Sequence, residues 1–166
     1  MPTQKGYEPS LLDKLLDTGG GLAGQAVLRR FTVDDVKESV ARDLEALLNS
    51  RIMHGDDALA GFEECKTSVL TFGVRDFAGL SLASSHDRAF VCRSIEQAIA
   101  RHEARLREVR VVLEIDERAT SVLRFGITAL LIVSNAREPV SFDAYLQPST
   151  LQYSVSKARR ATPSNS

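Results

Sequence analysis

The sequence contains no tryptophan, and aromatic residues make up only 6% of its 166 positions. Sites that hold polysaccharides rest sugar rings on aromatic platforms, and the three tyrosines (Tyr7, Tyr145 and Tyr153) offer few of these. Cysteine is equally sparse. Cys65 and Cys92 have no metal-ligand spacing, which predicts reduced packing thiols in a cytosolic protein. No stretch approaches the ~18 apolar residues of a membrane span, and the first ten residues, MPTQKGYEPS, lack the apolar core of a secretory leader. Charge of one sign is missing too. A formal net charge of −1 gives no bulk attraction to nucleic acid or to an anionic membrane.

Signatures of chemistry are also lacking. There is no G-x-S-x-G, no H-E-x-x-H and no C-x-x-C. Ser84, Ser85, His86 and Asp87 have the composition of a triad, but neighbours at a helix start cannot take up nucleophile–base–orienter geometry. The run Gly19-Gly20-Gly21 has neither a preceding strand nor a phosphate-loop lysine, and Gly55-Asp56-Asp57 lacks the alternating ligands of a calcium loop. His102 falls beside an apolar stripe, where a packed, hydrogen-bonded histidine is expected. The sequence therefore predicts no catalytic residue, no cofactor and no metal.

What is present is amphipathic patterning, with 43% hydrophobic and 26% charged residues. Phe31–Asn49 carries Val33, Val36, Val40, Leu44, Leu47 and Leu48 on one helical stripe, with Thr32 and Asp35 placed to cap its start. Ser84–Leu106 is a second helix, with Val91, Ile95, Ala98, Ile99 and His102 on one face and Ser84 as its cap. Pro9–Asp17 places Leu11, Leu12, Leu15 and Leu16 together. A helix that short needs a docking surface, on this chain or on a partner.

After Leu106 the period changes from 3.6 to 2. Val109, Val111, Leu113 and Ile115 alternate first, then Leu123 to Val133, then Val140, Phe142, Ala144 and Leu146. Thr67–Phe72 reads as a further short strand ending at Gly73. The expected fold is α+β: N-terminal helices and a long central helix packed on a C-terminal three-stranded antiparallel meander. The expected organisation is a flexible N-terminal segment (1–30) with a short amphipathic helix, one α+β domain (31–148), and a largely disordered tail (149–166) rich in Ser, Thr and basic residues.

Two features suggest binding. Glu103-Ala104-Arg105 ends the second helix, either as a solvated end whose arginine suits the helix dipole or as a charged latch for a partner. A three-stranded sheet also has edges, and an uncovered edge can accept another chain's strand.

Several segments, in this order, carry a family resemblance: EPSLLDKLLD, FTVDDVKESVARDLEALLN, SVLTFGVRDF, SIEQAIARHEARL and EPVSFDAYLQPSTLQYSV. Together they resemble the TssE family, baseplate subunits of type VI secretion systems. That family is related to a wedge protein of contractile phage tails once labelled lysozyme-like. The family usually carries E-P-R where this chain has Glu103-Ala104-Arg105, so a proline that would fix the helix exit is replaced by alanine, which permits a further helical turn. The FGVRD segment departs from a commoner G-L-P-D at Val74 and Arg75.

The resemblance implies a non-enzymatic, cytoplasmic protein in a baseplate docked at the inner membrane complex. Its implied partners are the wedge subunits TssF, TssG and TssK and the contractile sheath, whose polymerisation it would template, with no nucleic acid and no membrane insertion. Glu103 and Arg105 would make the wedge contact, and Arg105→Ala would lose it without unfolding. The strand from Val140 through Phe142 to Leu146 would be a partner-facing edge, and Leu12 and Leu15 a second docking element. The alternatives are a peptidoglycan-degrading, lysozyme-like hydrolase and a nucleic-acid accessory that uses the basic tail.

Overall fold

The computed structural model describes residues 32–52, 56–77, 79–81, 83–114, 122–133 and 136–158. Leu12, Leu15, Phe31, His54 and Ile115 lie outside these. Among the described residues there are two α-helices, α1 (Val33–Asn49) and α2 (Ser85–His102), and four strands. The strands are β1 (Leu106–Glu114), β2 (Leu123–Val133), β3 (Ala136–Gln147) and β4 (Gln152–Lys157), forming one antiparallel sheet in sequential order.

Both helices begin where their capping residues stand. Thr32 Oγ1 accepts from the Asp35 amide at 3.2 Å, while Asp35 Oδ2 accepts from the Thr32 amide at 2.8 Å, closing a capping box. Ser84 Oγ accepts from the Asp87 amide at 3.3 Å. Val36, Val40, Leu44, Leu47 and Leu48 of α1 and Val91, Ile95, Ala98 and Ile99 of α2 are buried. They meet the alternate strand residues Val109, Val111, Phe125, Ile127, Leu131, Val140, Phe142 and Tyr153 in one core.

This corrects the expected three-stranded meander behind a long central helix. The helices are of nearly equal length, 17 and 18 residues. Neither is central: α1 packs mainly along β4, and α2 along β1. The fourth strand comes from residues expected in the tail. Gln152, Ser154 and Ser156 look polar because they face outward, while Tyr153 is buried and Val155 packs against the core. The expected extra strand at Thr67–Phe72 is absent. Two short 3-10 turns, Glu63–Thr67 and Val69–Thr71, take its place. Ser68 Oγ donates to the Cys65 carbonyl at 2.8 Å, and Thr71 Oγ1 donates to the Lys66 carbonyl at 2.8 Å, so local side-chain bonds hold the backbone in turns despite its β-favouring composition.

Next to these turns, Val74 pairs with the residues after α1. The Val74 amide donates to the Ser50 carbonyl at 3.0 Å, and the Ile52 amide to the Val74 carbonyl at 3.1 Å. Gly73 makes this approach possible. Its φ is +129°, and a Cβ there would stand 2.6 Å from the Ser50 carbonyl oxygen.

Strand β3 starts at Ala136, opposite Val133. Pro139 is tolerated inside β3 because of parity. Ser141 accepts from the Ala158 amide on the β4 side, so Pro139 lacks its donor on that side too, past the last registered β3–β4 pair at Phe142–Lys157.

Candidate functional site

The E-A-R segment forms the corner between α2 and β1. Helix α2 stops at His102, and Glu103 has left the helical basin at φ −110° and ψ 90°. The further helical turn that alanine permits does not form. The Glu103 carboxylate holds the corner in place of a proline: Oε1 accepts from the Arg105 amide at 3.0 Å and from Arg105 Nε at 2.8 Å, and Oε2 accepts from the guanidinium at 2.6 Å. The Leu106 amide donates to the Glu103 carbonyl at 3.2 Å. Ala104 is exposed at the tip.

The same guanidinium crosses to α1. It donates to Ser39 Oγ at 3.2 Å and pairs with the Asp43 carboxylate. Ser39 is 2% exposed and Glu103 6%; the fork–fork pair with Glu103 fixes the guanidinium at the corner, and its bonds to Ser39 and Asp43 tie that corner to the middle of α1. Burial works against the Arg105 charge, but the Glu103 and Asp43 carboxylates outweigh it and raise its pKa further. Arg105 thus stays a cation within its own chain's clasp. Sequence reasoning selected Glu103 and Arg105 but missed Ser39 and Asp43. Their signal was a polar pair four residues apart at the border of the α1 stripe.

Next to the corner, His102 Nε2 lies 2.8 Å from the Thr71 carbonyl, and the ring meets Phe72 edge-on at 5.4 Å. Burial lowers its pKa, with the Thr71 carbonyl opposing. It is a packed, satisfied histidine.

The strand chosen as a partner-facing edge is interior. β3 lies between β2 and β4, and Val140, Phe142 and Leu146 point into the core at 6%, 1% and 8% exposure. Adding β4 moved the edge by one strand, so the sheet's margins are β1 and β4.

On the sheet face away from the helices, Arg124 joins Glu114 of β1 at 2.7 Å to Asp143 of β3 at 3.0 Å. Behind the β3–β4 turn, a cavity of about 400 Å³ opens among Phe77, Leu80, Val91, Phe125, Leu146 and Tyr153. The Tyr153 hydroxyl is buried without a hydrogen-bond partner among the described residues, and burial pushes its pKa up to about 12 against the nearby Arg51 charge. Asp76 is the one carboxylate among the described lining residues, so the cavity does not present the facing acid pair of a glycosidase. Among the described residues, no group of three or more His, Cys, Asp or Glu side chains could hold a metal ion, and no helix is long and apolar enough to cross a membrane.

Two packed helices, a meander sheet and an acid–arginine clasp at the helix–strand corner make up the described fold. The family model of baseplate wedge protein gp25 matches residues 34–136, more than half of the chain. The chain belongs to that family, whose members are structural baseplate proteins, and TssE is the type VI homologue of gp25. The matched span takes in α1, α2, the whole clasp and β1–β2, and it ends as β3 begins. No curated protein matches the chain.

Proposed function

We propose that this protein is a non-enzymatic component of a type VI secretion baseplate, joining the wedge subunits TssF, TssG and TssK to the contractile sheath and templating its polymerisation. In this reading it works in the cytoplasm, in a baseplate docked at the inner membrane complex. The observation that carries the reading is the family match, because it spans the clasp as well as the helices that frame it.

Glu103 and Arg105 contribute to the wedge contact by shaping the surface. Their charges are engaged inside the chain, so they hold the α2–β1 corner against α1 and present the exposed Ala104 tip and the outer side of Asp43 to the partner. Leu12 and Leu15 would form a second docking element on the same wedge partners.

The test is co-purification of the tagged full chain with wedge and sheath subunits. Ala104→Arg adds a long cation at the exposed tip without touching the clasp. The expected result is loss of the wedge subunits with an unchanged circular-dichroism spectrum and melting temperature. Retention of all three wedge subunits by this variant would remove the contact from the corner. Failure of the wild-type chain to retain any of them would remove the baseplate reading altogether.

A further inference from the structure

The sheet face turned away from the helices is uneven. At one end it is charged and paired within itself, where Arg124 joins Glu114 to Asp143. At the other end it is apolar. There β2 reads Ala129-Leu130-Leu131-Ile132-Val133, a continuous apolar run of the kind found in strands covered on both faces. Ala129 and Leu131 are buried in the core, and Val133 packs against it. Leu130 and Ile132 alternate to the far face, where they are half-buried and make no contact with that core. Pro139 of β3 lies beside Leu130 in register and is exposed. This end of the sheet is patterned for two covering layers, and α1 and α2 supply one.

Three arginines surround the apolar patch. Arg107 stands opposite Leu130, Arg110 opposite Thr128, and Arg137 opposite Ile132. All three are exposed, and none forms an ion pair among the described residues. The acid in this stretch of β1, Glu108, sits in the bulge at φ 54°, outside the ladder. The ladders use the backbone groups of an inner face, so a cover must bind through side chains. A short helix with apolar residues on one side and acids on its flank meets both the patch and the arginines. The chain carries such a segment at residues 9–17, outside the described residues. At helical spacing Leu11, Leu12, Leu15 and Leu16 share one side, and Asp13 and Asp17, four apart, stand together on its flank. With Glu8 before it, the segment sets three acids against one lysine, Lys14.

The place where the chain enters the fold favours the same face. Helix α1 starts at Val33, and Lys37 in its second turn pairs at 2.6 Å with Glu138, the residue between Arg137 and Pro139. The chain thus enters at the end of the sheet that carries the patch. Strand β4 stops short of that end, since its last registered pair is Phe142–Lys157, so β3 forms the flank there and the route around it is short. Residues 18–31, with Gly19, Gly20, Gly21 and Gly24, form a linker of about 14 residues, which as a flexible coil spans about 20 Å. That matches the path from the helix layer to the far face of the sheet, two layer spacings of ~10 Å each. A flexible tether of this length holds its segment at an effective concentration on the order of millimolar, so a small apolar contact suffices.

We propose that segment 9–17 covers this end of its own sheet, with its leucines on Leu130, Ile132 and Pro139 and with Asp13 and Asp17 beside Arg107 and Arg110. This docking belongs to the free subunit and does not rest on the baseplate reading; a wedge contact through Leu12 and Leu15 would first lift them from this site. Another exposed apolar group, Phe62, Val69 and Leu70, adjoins Glu63 and Glu64, whose charge has the wrong sign for an acidic segment.

The test is methyl–methyl nuclear Overhauser spectroscopy of the purified full chain with labelled leucine and isoleucine methyls. Cross-peaks from Leu130 and Ile132 to the leucines of segment 9–17 are expected, at equal relative strength in dilute and concentrated samples. Their absence overturns the proposal. Cross-peaks seen only between differently labelled copies in a mixed sample also overturn it, because the occupant is then a second copy's segment. So do cross-peaks that join the segment to Leu70 in place of Leu130. Charge reversal gives a second measurement. Arg107→Glu with Arg110→Glu, both on exposed side chains, should remove the cross-peaks, and adding Asp13→Lys with Asp17→Lys to that variant should restore them. Loss without restoration, or no loss at all, overturns the pairing of Asp13 and Asp17 with these arginines.

Discussion

Four of the five N–H groups of the Arg105 guanidinium are engaged by Glu103, Ser39 and Asp43. Removing this side chain leaves the Glu103 carboxylate, 6% exposed, without its cation. Arg105→Ala is therefore expected to cost about 2–3 kcal/mol of stability in urea denaturation. That is below the ~3–5 kcal/mol of a fully buried pair, because the Arg105 side chain keeps 27% of its exposure. A cost of that size runs against the expectation that Arg105→Ala would lose partners without unfolding. A partner-binding defect in that variant is interpretable only beside its melting curve. An unchanged midpoint would show the clasp to be ornamental to folding. The spacing of Glu103 and Arg105 marked them as a pair, but the residues they reach lie about sixty positions upstream, beyond any local pattern.

At the scale of elements, what could be read in the sequence was what is local. Both helices carry their caps and apolar stripes within a few residues, so their starts and buried faces followed from spacing. The strands β1 to β3 also alternate clearly. β4 did not stand out because only Tyr153 and Val155 turn inward, and because its outer margin is completed by Glu45 and Asn49, more than a hundred residues away. The same distance hid which strand forms the margin. Asn49→Ala removes both side-chain bonds to Tyr153 and leaves a backbone amide and carbonyl unpaired. It should destabilise the protein by about 1–3 kcal/mol and speed amide exchange at Tyr153 and Val155 before any change at β2. Uniform acceleration across the sheet would show instead that β4 opens only with global unfolding.

For the molecule as a whole, the histidine at the end of α2 sets a sign for pH dependence. Burial lowers the His102 pKa below its ordinary value of 6.5. Between the lowered value and 6.5 the unfolded chain binds a proton that the folded chain refuses, so stability should fall as pH drops from 7 through 6.5 and level off below the folded-state value. Urea midpoints across this range should show the slope, and His102→Gln should flatten it. An unchanged slope in that variant would assign the effect to another group. The core is otherwise a single apolar cluster under two helices, and one charged group of the sheet, Glu114, Arg124 and Asp143, lies on its far face.

The Asn49–Tyr153 pairing also has a consequence for the order in which the chain is completed. Synthesis delivers α1 before β4, so Glu45 and Asn49 exist long before the strand they bind. Until β4 arrives, β3 is the temporary border of the sheet, with a row of unpaired backbone groups along its flank. The arrival of β4 is therefore what converts an adhesive intermediate into a closed sheet, and helix α1 stands ready to receive it.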